Sequence, residues 1–160
     1  MKRVTLCVVY RPGGEPEVLL GMKKRGFGVG KWNGFGGKIE PNESVRQAAV
    51  RELREECGLQ ADPEALEDRG TLRFRFPHHP EFDHFVHVFL TSRWRGEPVE
   101  TPEMRAAWHP LRDLPFHDMW DDDRYWLPLI LAGKRIEAEF TYNADNETVD
   151  IASIRLQGEP

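Results

Sequence analysis

Between Gly37 and Leu59 the chain reads GKIEPNESVRQAAVRELREECGL, a glycine loop feeding one acidic helix that a second glycine stops. At about 100° per residue, Glu52, Glu55 and Glu56 fall at i, i+3 and i+4 and crowd onto one edge, where like charges cost stability. A hard divalent cation would remove that cost. Carboxylate oxygens without nitrogen or sulfur donors suit Mg2+ or Mn2+, which keep waters and bridge to substrate phosphates. Ala49, Val50, Leu53 and Cys57 form the neighbouring face and are expected to pack it against a sheet. Ser44 with Gln47 three residues on has capping-box spacing, Pro41-Asn42 precedes it, and Gly58 suits a left-handed C-terminal position. The predicted helix is about 14 residues, roughly four turns. A merely solvated acidic helix, the usual meaning of a charge run, would not explain the glycine loop before it or the punctuation at both ends.

The 160 residues and 18.6 kDa predict a single domain over residues 1–160, large enough to bury about 70% of the surface of its unfolded chain. A formal charge of −5 and a pI near 5.7 argue against a nucleic-acid polymer as partner, while a bound cation could still bring in a small polyanion. Cys7 and Cys57 have neither metal-ligand nor disulfide spacing and read as core thiols of a reducing compartment. The longest apolar run, Val4 to Tyr10, is too short for a membrane span or a signal core. The expectation is a cytoplasmic protein with no membrane partner.

Val4–Tyr10 and Val18–Met22 are β-rich runs separated by Arg11-Pro12-Gly13-Gly14 and are expected to pair. From Lys23 to Gly37 four basic residues, six glycines and three aromatics are mixed. Glycines admit a ligand close to the backbone, lysines neutralise phosphate, and aromatic faces accept a base. Such composition often means only a flexible loop, but its place directly before the acidic helix favours a binding segment.

Downstream, residues 60–69 read as a loop, Gly70–Phe76 as an alternating strand, and Phe82–Trp94 as another after the Pro77-His78-His79-Pro80 break. His84 and His87, three apart on a strand, face opposite sides, so a histidine metal site is not expected. Residues 99–108 suggest a strand with a loop, Met119–Leu131 an acidic helix start opening into an apolar helix that Pro128 would kink or shorten. Ile136–Tyr142 and Thr148–Leu156 suggest a C-terminal hairpin.

The spacing G-x5-E-x7-R-E-U-x-E-E-x-G-U, with U aliphatic, is matched at every fixed position by Gly37, Glu43, Arg51, Glu52, Leu53, Glu55, Glu56, Gly58 and Leu59. This resembles the Nudix box. Gly21–Gly28 with Trp32–Lys38, Glu103-Met104-Arg105 with Trp108, and Asp118–Trp126 extend the likeness to the oxidised-purine nucleoside triphosphatases, the 8-oxo-dGTP-hydrolysing branch related to MutT. The Pro12–Glu17 turn and the Pro77–His84 segment look longer than that pattern, and Asp121 stands where proline is common.

The resemblance implies an α+β fold, the Nudix α/β/α sandwich with a mixed β-sheet, acting as a monomer on a small nucleotide. It implies Mg2+, with Mn2+ as a possible substitute, held by Glu52, Glu55, Glu56, Glu103 and backbone oxygen of Gly36 or Gly37. Arg51 would orient the box carboxylates and Glu43 would support the loop. Thr5, Lys23, Phe27, Asn33, the Phe35, Gly36, Gly37 and Lys38 backbone, Trp120, Asp122 and Asp123 would form the substrate pocket, with His84 near a base-contacting position. The implied activity is hydrolysis of oxidised purine triphosphates to monophosphate and pyrophosphate, which cleanses the nucleotide pool. A Nudix hydrolase of another nucleoside diphosphate derivative and a non-catalytic nucleotide sensor are the alternatives. Asp122 and Asp123, adjacent in a partly dry pocket, should not both ionise easily and could exchange a proton to suit different bases.

Overall fold

A computed structural model describes residues 1–157. Eight strands form one mixed sheet: β1 Lys2–Arg11, β2 Glu17–Lys23, β3 Trp32–Asn33, β4 Glu67–Arg75, β5 His84–Thr91, β6 Met104–Pro110, β7 Arg135–Tyr142 and β8 Val149–Gln157. β1 pairs with β5 in parallel and β4 with β7 in parallel, whereas β1–β2, β2–β6, β4–β5 and β7–β8 are antiparallel. Two α-helices, α1 Val45–Cys57 and α2 Asp123–Leu131, cover the sheet. They lie over different faces: Leu53 and Cys57 of α1 join Cys7, Val9 and Leu19 in one core, while Trp126, Leu127 and Ile130 of α2 join Val8, Val18 and Leu20 in the other. That arrangement is the α/β/α sandwich with a mixed sheet.

The double cover explains why β1 and β2 read as continuous apolar runs. Side chains alternate across a strand, so both parities must be apolar when both faces are buried.

α1 forms as its ends dictate. The Ser44 side chain accepts the Gln47 N–H while Gln47 accepts the Ser44 N–H, and Gly58 sits at φ 82° with its N–H donating to the Arg54 carbonyl. The helix has 13 residues. Ala48, Ala49, Leu53 and Cys57 are buried, whereas Val50 is only half-buried. The packed face is therefore rotated slightly toward Ala48.

Several boundaries differ from the sequence reading. β4 begins at Glu67, inside the stretch read as a loop, because Asp68 Oδ1 accepts the Gly70 N–H at 2.8 Å and a bulge between Asp68 and Gly70 lets pairing with β5 continue. Gly70 has φ 102°, and a Cβ there would lie 1.7 Å from the Ile136 carbonyl oxygen. Residues Pro80–Phe82 form a 3-10 turn, so β5 starts only at His84. α2 begins only at Asp123 rather than at Met119, and it runs through Pro128 to Leu131, although proline cannot donate the helical bond to Arg124. Burial of Trp126, Leu127 and Ile130 compensates. Among the described residues no helix is long and apolar enough to cross a membrane.

Candidate active site

The glycine loop between β2 and α1 runs along the first half of β1 and is stitched to it. Thr5 N–H donates to the Gly37 carbonyl at 2.9 Å, Phe35 N–H to Cys7 at 3.0 Å and Cys7 N–H to Phe35 at 2.6 Å. Glycine is required at the closest approach: a Cβ on Gly36 would lie 1.7 Å from the Thr5 carbonyl oxygen, and one on Gly37 would lie 2.6 Å from the Glu52 carboxyl carbon. The loop thus meets the carboxylate edge of α1. Glu56, 8% exposed, accepts the Gly36 N–H at 2.8 Å.

Arg51 gathers the other box carboxylates. Its Nη2 donates to Glu43 Oε1 at 2.8 Å and to the Lys38 carbonyl at 2.9 Å, its Nε to Glu43 Oε2 at 3.1 Å, and its Nη1 to Glu52 at 3.0 Å and Glu55 at 3.2 Å. The Glu43 carboxyl is held below its ordinary range chiefly by that guanidinium. Burial raises Glu52, with Arg51 opposing. Burial pushes Glu56 up to about 8, against the Gly36 hydrogen bond and with help from the Glu52 carboxylate. Glu103 also acts on Glu56, but its own carboxylate is engaged by Arg25 at 2.5 Å on an exposed rim.

This donor set fits a hard divalent cation. Two carboxylates on one helix edge face a glycine loop, the space a Cβ would fill at Gly37 holds the Glu52 carboxylate, and the buried Glu56 carries a charge cost that a cation would relieve. Among the described residues no three His, Cys, Asp or Glu side chains already converge as a ready cage. Glu55 turns to Arg51 and Glu103 to Arg25.

Beside this edge opens a cleft of about 370 Å³. Glu56, Lys23 and Lys38 stand along it with Gly36 and Gly37; Thr5, Asn33 and Gly34 line it from the strand and the loop. Its far end is aromatic. Phe27 lies against Trp120 with ring centroids 5.0 Å apart and stacks on Phe82 at 4.7 Å, and Lys31 Nζ stands 5.1 Å from the Trp120 ring centre. Trp120, Asp122, Asp123, Trp126 and Tyr142 also line the cleft.

Phe35 does not belong to this cleft. Its ring is fully buried in the core under α1 and its backbone N–H and carbonyl bond Cys7, whereas the resemblance implied a Phe35 backbone lining the substrate pocket. Asp121 stays out of the acid pair as well, since Arg124 and the Val149 N–H, at 2.8 Å, engage its carboxylate.

Several lining residues carry no motif. Phe74 and Phe76 reach the cleft by strand alternation from Leu72, a signal the period-two pattern holds but that does not say which face is the site. His84 donates Nδ1–H to the Phe82 carbonyl at 2.7 Å and stacks on Phe74 at 4.8 Å, and burial holds its imidazole below the usual histidine range. Tyr142 arrives from the end of β7, and nothing local marks it.

The NUDIX domain profile matches residues 1–130. The chain is 46% identical over 149 residues to the oxidized purine nucleoside triphosphate hydrolase of Danio rerio, covering 93% of this chain and 92% of that protein. It is 44% identical over 151 residues to the protein of the same description from Mus musculus, covering 94% and 92%. The crystal structure of a mutator MutT protein from Bacillus halodurans superimposes with a TM-score of 0.76 at 25% identity, over 100% of both chains.

Proposed function

The chain belongs to the Nudix hydrolase family, a family that generally uses a divalent metal, and from that membership we propose that it hydrolyses oxidised purine nucleoside triphosphates of the 8-oxo-dGTP and 2-hydroxy-dATP type. The products are the monophosphate and pyrophosphate, and the role is to remove damaged nucleotides before they enter DNA. The observation that carries this reading is the placement of an aromatic cleft with two buried acids at one end and the box carboxylate Glu56 at the other. The relatives from Danio rerio and Mus musculus are each described as an oxidized purine nucleoside triphosphate hydrolase.

Glu52, Glu55 and Glu56, with Glu103 and backbone oxygen of Gly36 or Gly37, would hold the cation. When bound, Mg2+, or Mn2+ in its place, supplies neutralisation of the triphosphate and a lowered pKa for water. Arg51 fixes the carboxylates it bonds, so little reorganisation is left for the moment of reaction. Lys23 and Lys38 offer cationic donors to phosphate oxygens along the cleft. A box carboxylate accepts the proton of the attacking water. Trp120 and Phe27 supply aromatic faces for the purine, and Asn33 with the acids at the cleft floor reads its edge.

The whole of residues 1–160 is read as one such domain, cytoplasmic and monomeric. Pyrophosphate release from a panel of oxidised and undamaged nucleoside triphosphates, with and without Mg2+, tests the activity. Turnover confined to oxidised purines in the presence of Mg2+ is expected; turnover confined to another nucleotide class would overturn the substrate, and none on any member would favour a nucleotide sensor.

A further inference from the structure

Asp122 and Asp123 are adjacent in sequence and both buried, at 2% and 3% exposure, yet their surroundings differ. Both oxygens of Asp122 are used inside the protein: Oδ2 accepts the Trp126 indole N–H at 2.7 Å, and Oδ1 accepts the Tyr142 hydroxyl. The direction of the second bond is settled by the Asp122 backbone N–H, which donates to the same hydroxyl oxygen at 3.2 Å and leaves the phenolic proton to point at the carboxylate. Asp123 offers the opposite case. Its Oδ2 is buried without a partner, on a residue that lines the cleft.

We propose that Tyr142 is a positioning residue for base recognition: its hydroxyl, with the Trp126 indole, holds Asp122 as an ionised acceptor, so that the proton of the pair stays on Asp123 and Asp123 Oδ2 is the oxygen that meets the purine.

Two fixed donors favour the charged form of the carboxyl they bind, and an ionised Asp122 disfavours a second charge beside it. Burial raises both acids; the hydrogen bonds from Tyr142, Trp126 and Asp123 pull Asp122 back, whereas the Asp122 carboxylate pushes Asp123 further up. With the shared proton between the two carboxyls, Oδ2 is the acceptor left without a partner, and it selects a purine edge that offers a ring N–H or an amino group. Two other titratable groups act on the pair: His84 of β5, electrostatically coupled to Asp122, and Lys31 of the glycine loop, which lowers Asp123. Unlike freely exchangeable acids, these two have assigned roles, and residue 142, twenty positions away, assigns them.

The inference rests on the cleft being the purine site, and its test separates the two. Tyr142→Phe removes only the hydroxyl and keeps the ring that stacks on Phe76 at 4.9 Å and meets Trp120 edge-on at 5.9 Å. Carboxyl 13C NMR titration of the ligand-free protein should show Asp122 ionising at lower pH than Asp123. In the variant the Asp122 midpoint should rise by about one unit, as expected for losing a hydrogen bond to the charged form. The ratio of kcat/KM for 8-oxo-dGTP to that for 2-hydroxy-dATP should then change by about fivefold, the effect of one hydrogen bond, with the change falling on KM. Asp123 ionising first in the parent, or the same titration order and substrate ratio in parent and variant, would overturn the proposal. If Tyr142→Phe does not fold, Trp126→Phe removes the other donor and carries the same expectations. Because the titration needs no turnover, it stands whether or not the nucleotide panel supports the substrate.

Discussion

Glu56 accepts a hydrogen bond from the Gly36 backbone N–H at 2.8 Å, joining the carboxylate edge of α1 to the glycine loop. The contact places a buried carboxyl where the aromatic cleft meets the other box glutamates. It also accounts for the glycine, since any side chain at residue 36 would collide with β1.

Glu56→Gln keeps the size of the side chain and an acceptor for the Gly36 N–H but cannot carry charge. The fold should survive, shown by unchanged circular dichroism, while metal-dependent pyrophosphate release falls by at least about 100-fold. Turnover at the parent rate would remove Glu56 from the metal and proton chemistry.

Gly36→Ala and Gly37→Ala should differ in kind. At residue 36 the new Cβ would meet a backbone oxygen at 1.7 Å that has nowhere to go, costing roughly 2–3 kcal/mol and lowering Tm by several degrees at about 2–4 °C per kcal/mol. At residue 37 the clash is with the Glu52 carboxylate at 2.6 Å, the end of a side chain that can swing away. That variant should melt close to the parent and lose turnover. Equal effects on Tm would contradict the distinction.

Arg51→Lys leaves one ammonium where a planar guanidinium makes two bonds to Glu43 and others to Glu52, Glu55 and the Lys38 carbonyl. Lysine cannot reproduce that fork. Chemical denaturation should show a loss of roughly 1–3 kcal/mol, the range for hydrogen bonds to charged groups. Turnover should fall as well because Glu52 and Glu55 lose their common anchor.

Asp123 makes stability depend on pH in a stated direction. Its folded pKa is raised well above the ordinary value of 3.8 by burial and by the Asp122 carboxylate. The folded state therefore binds more protons than the unfolded state above pH 3.8, and stability declines as pH rises toward the folded pKa. Asp123→Asn should flatten that part of the profile in urea titrations at stepped pH. An unaltered slope would mean that another group carries it.

Asn33 spends its Oδ1 on the Gly34 N–H at 2.8 Å, which orients the amide and leaves Nδ2 as a donor at the cleft wall. Asn33→Ala should raise KM for oxidised purines by about tenfold, the loss of one or two net hydrogen bonds. Cation binding measured by calorimetry should be retained. A parent-like KM would place Asn33 outside base recognition.

How far the chain could be read in advance differs from residue to residue. Ser44, Gln47 and Gly58 announced α1 because caps act through groups within one turn, and the structure has those bonds. The turn after Tyr10 and the pairing of β1 with β2 were equally legible, as was the hairpin of β7 and β8. β4 was misplaced at its start because a bulge at Asp68 and Gly70 breaks the alternation on which strand reading depends. Phe35, sitting inside a ligand-like glycine loop, was drawn into the core by β1, an event its neighbours in sequence do not encode.

The box helix, its stops, the spacing of Glu52, Glu55 and Glu56 and the glycines that let a loop pass close by are all dictated by local sequence. These are consequences of helical period and backbone sterics, which operate over a few residues. Long-range packing buries Glu56 against Gly36 while Glu103 faces Arg25, and it satisfies Asp122 with Tyr142 and Trp126 while Asp123 keeps a buried oxygen without a partner. Desolvation and hydrogen bonding set those differences, and both depend on which distant strand or helix is packed alongside, so two identical carboxyl side chains one residue apart acquire different chemistry.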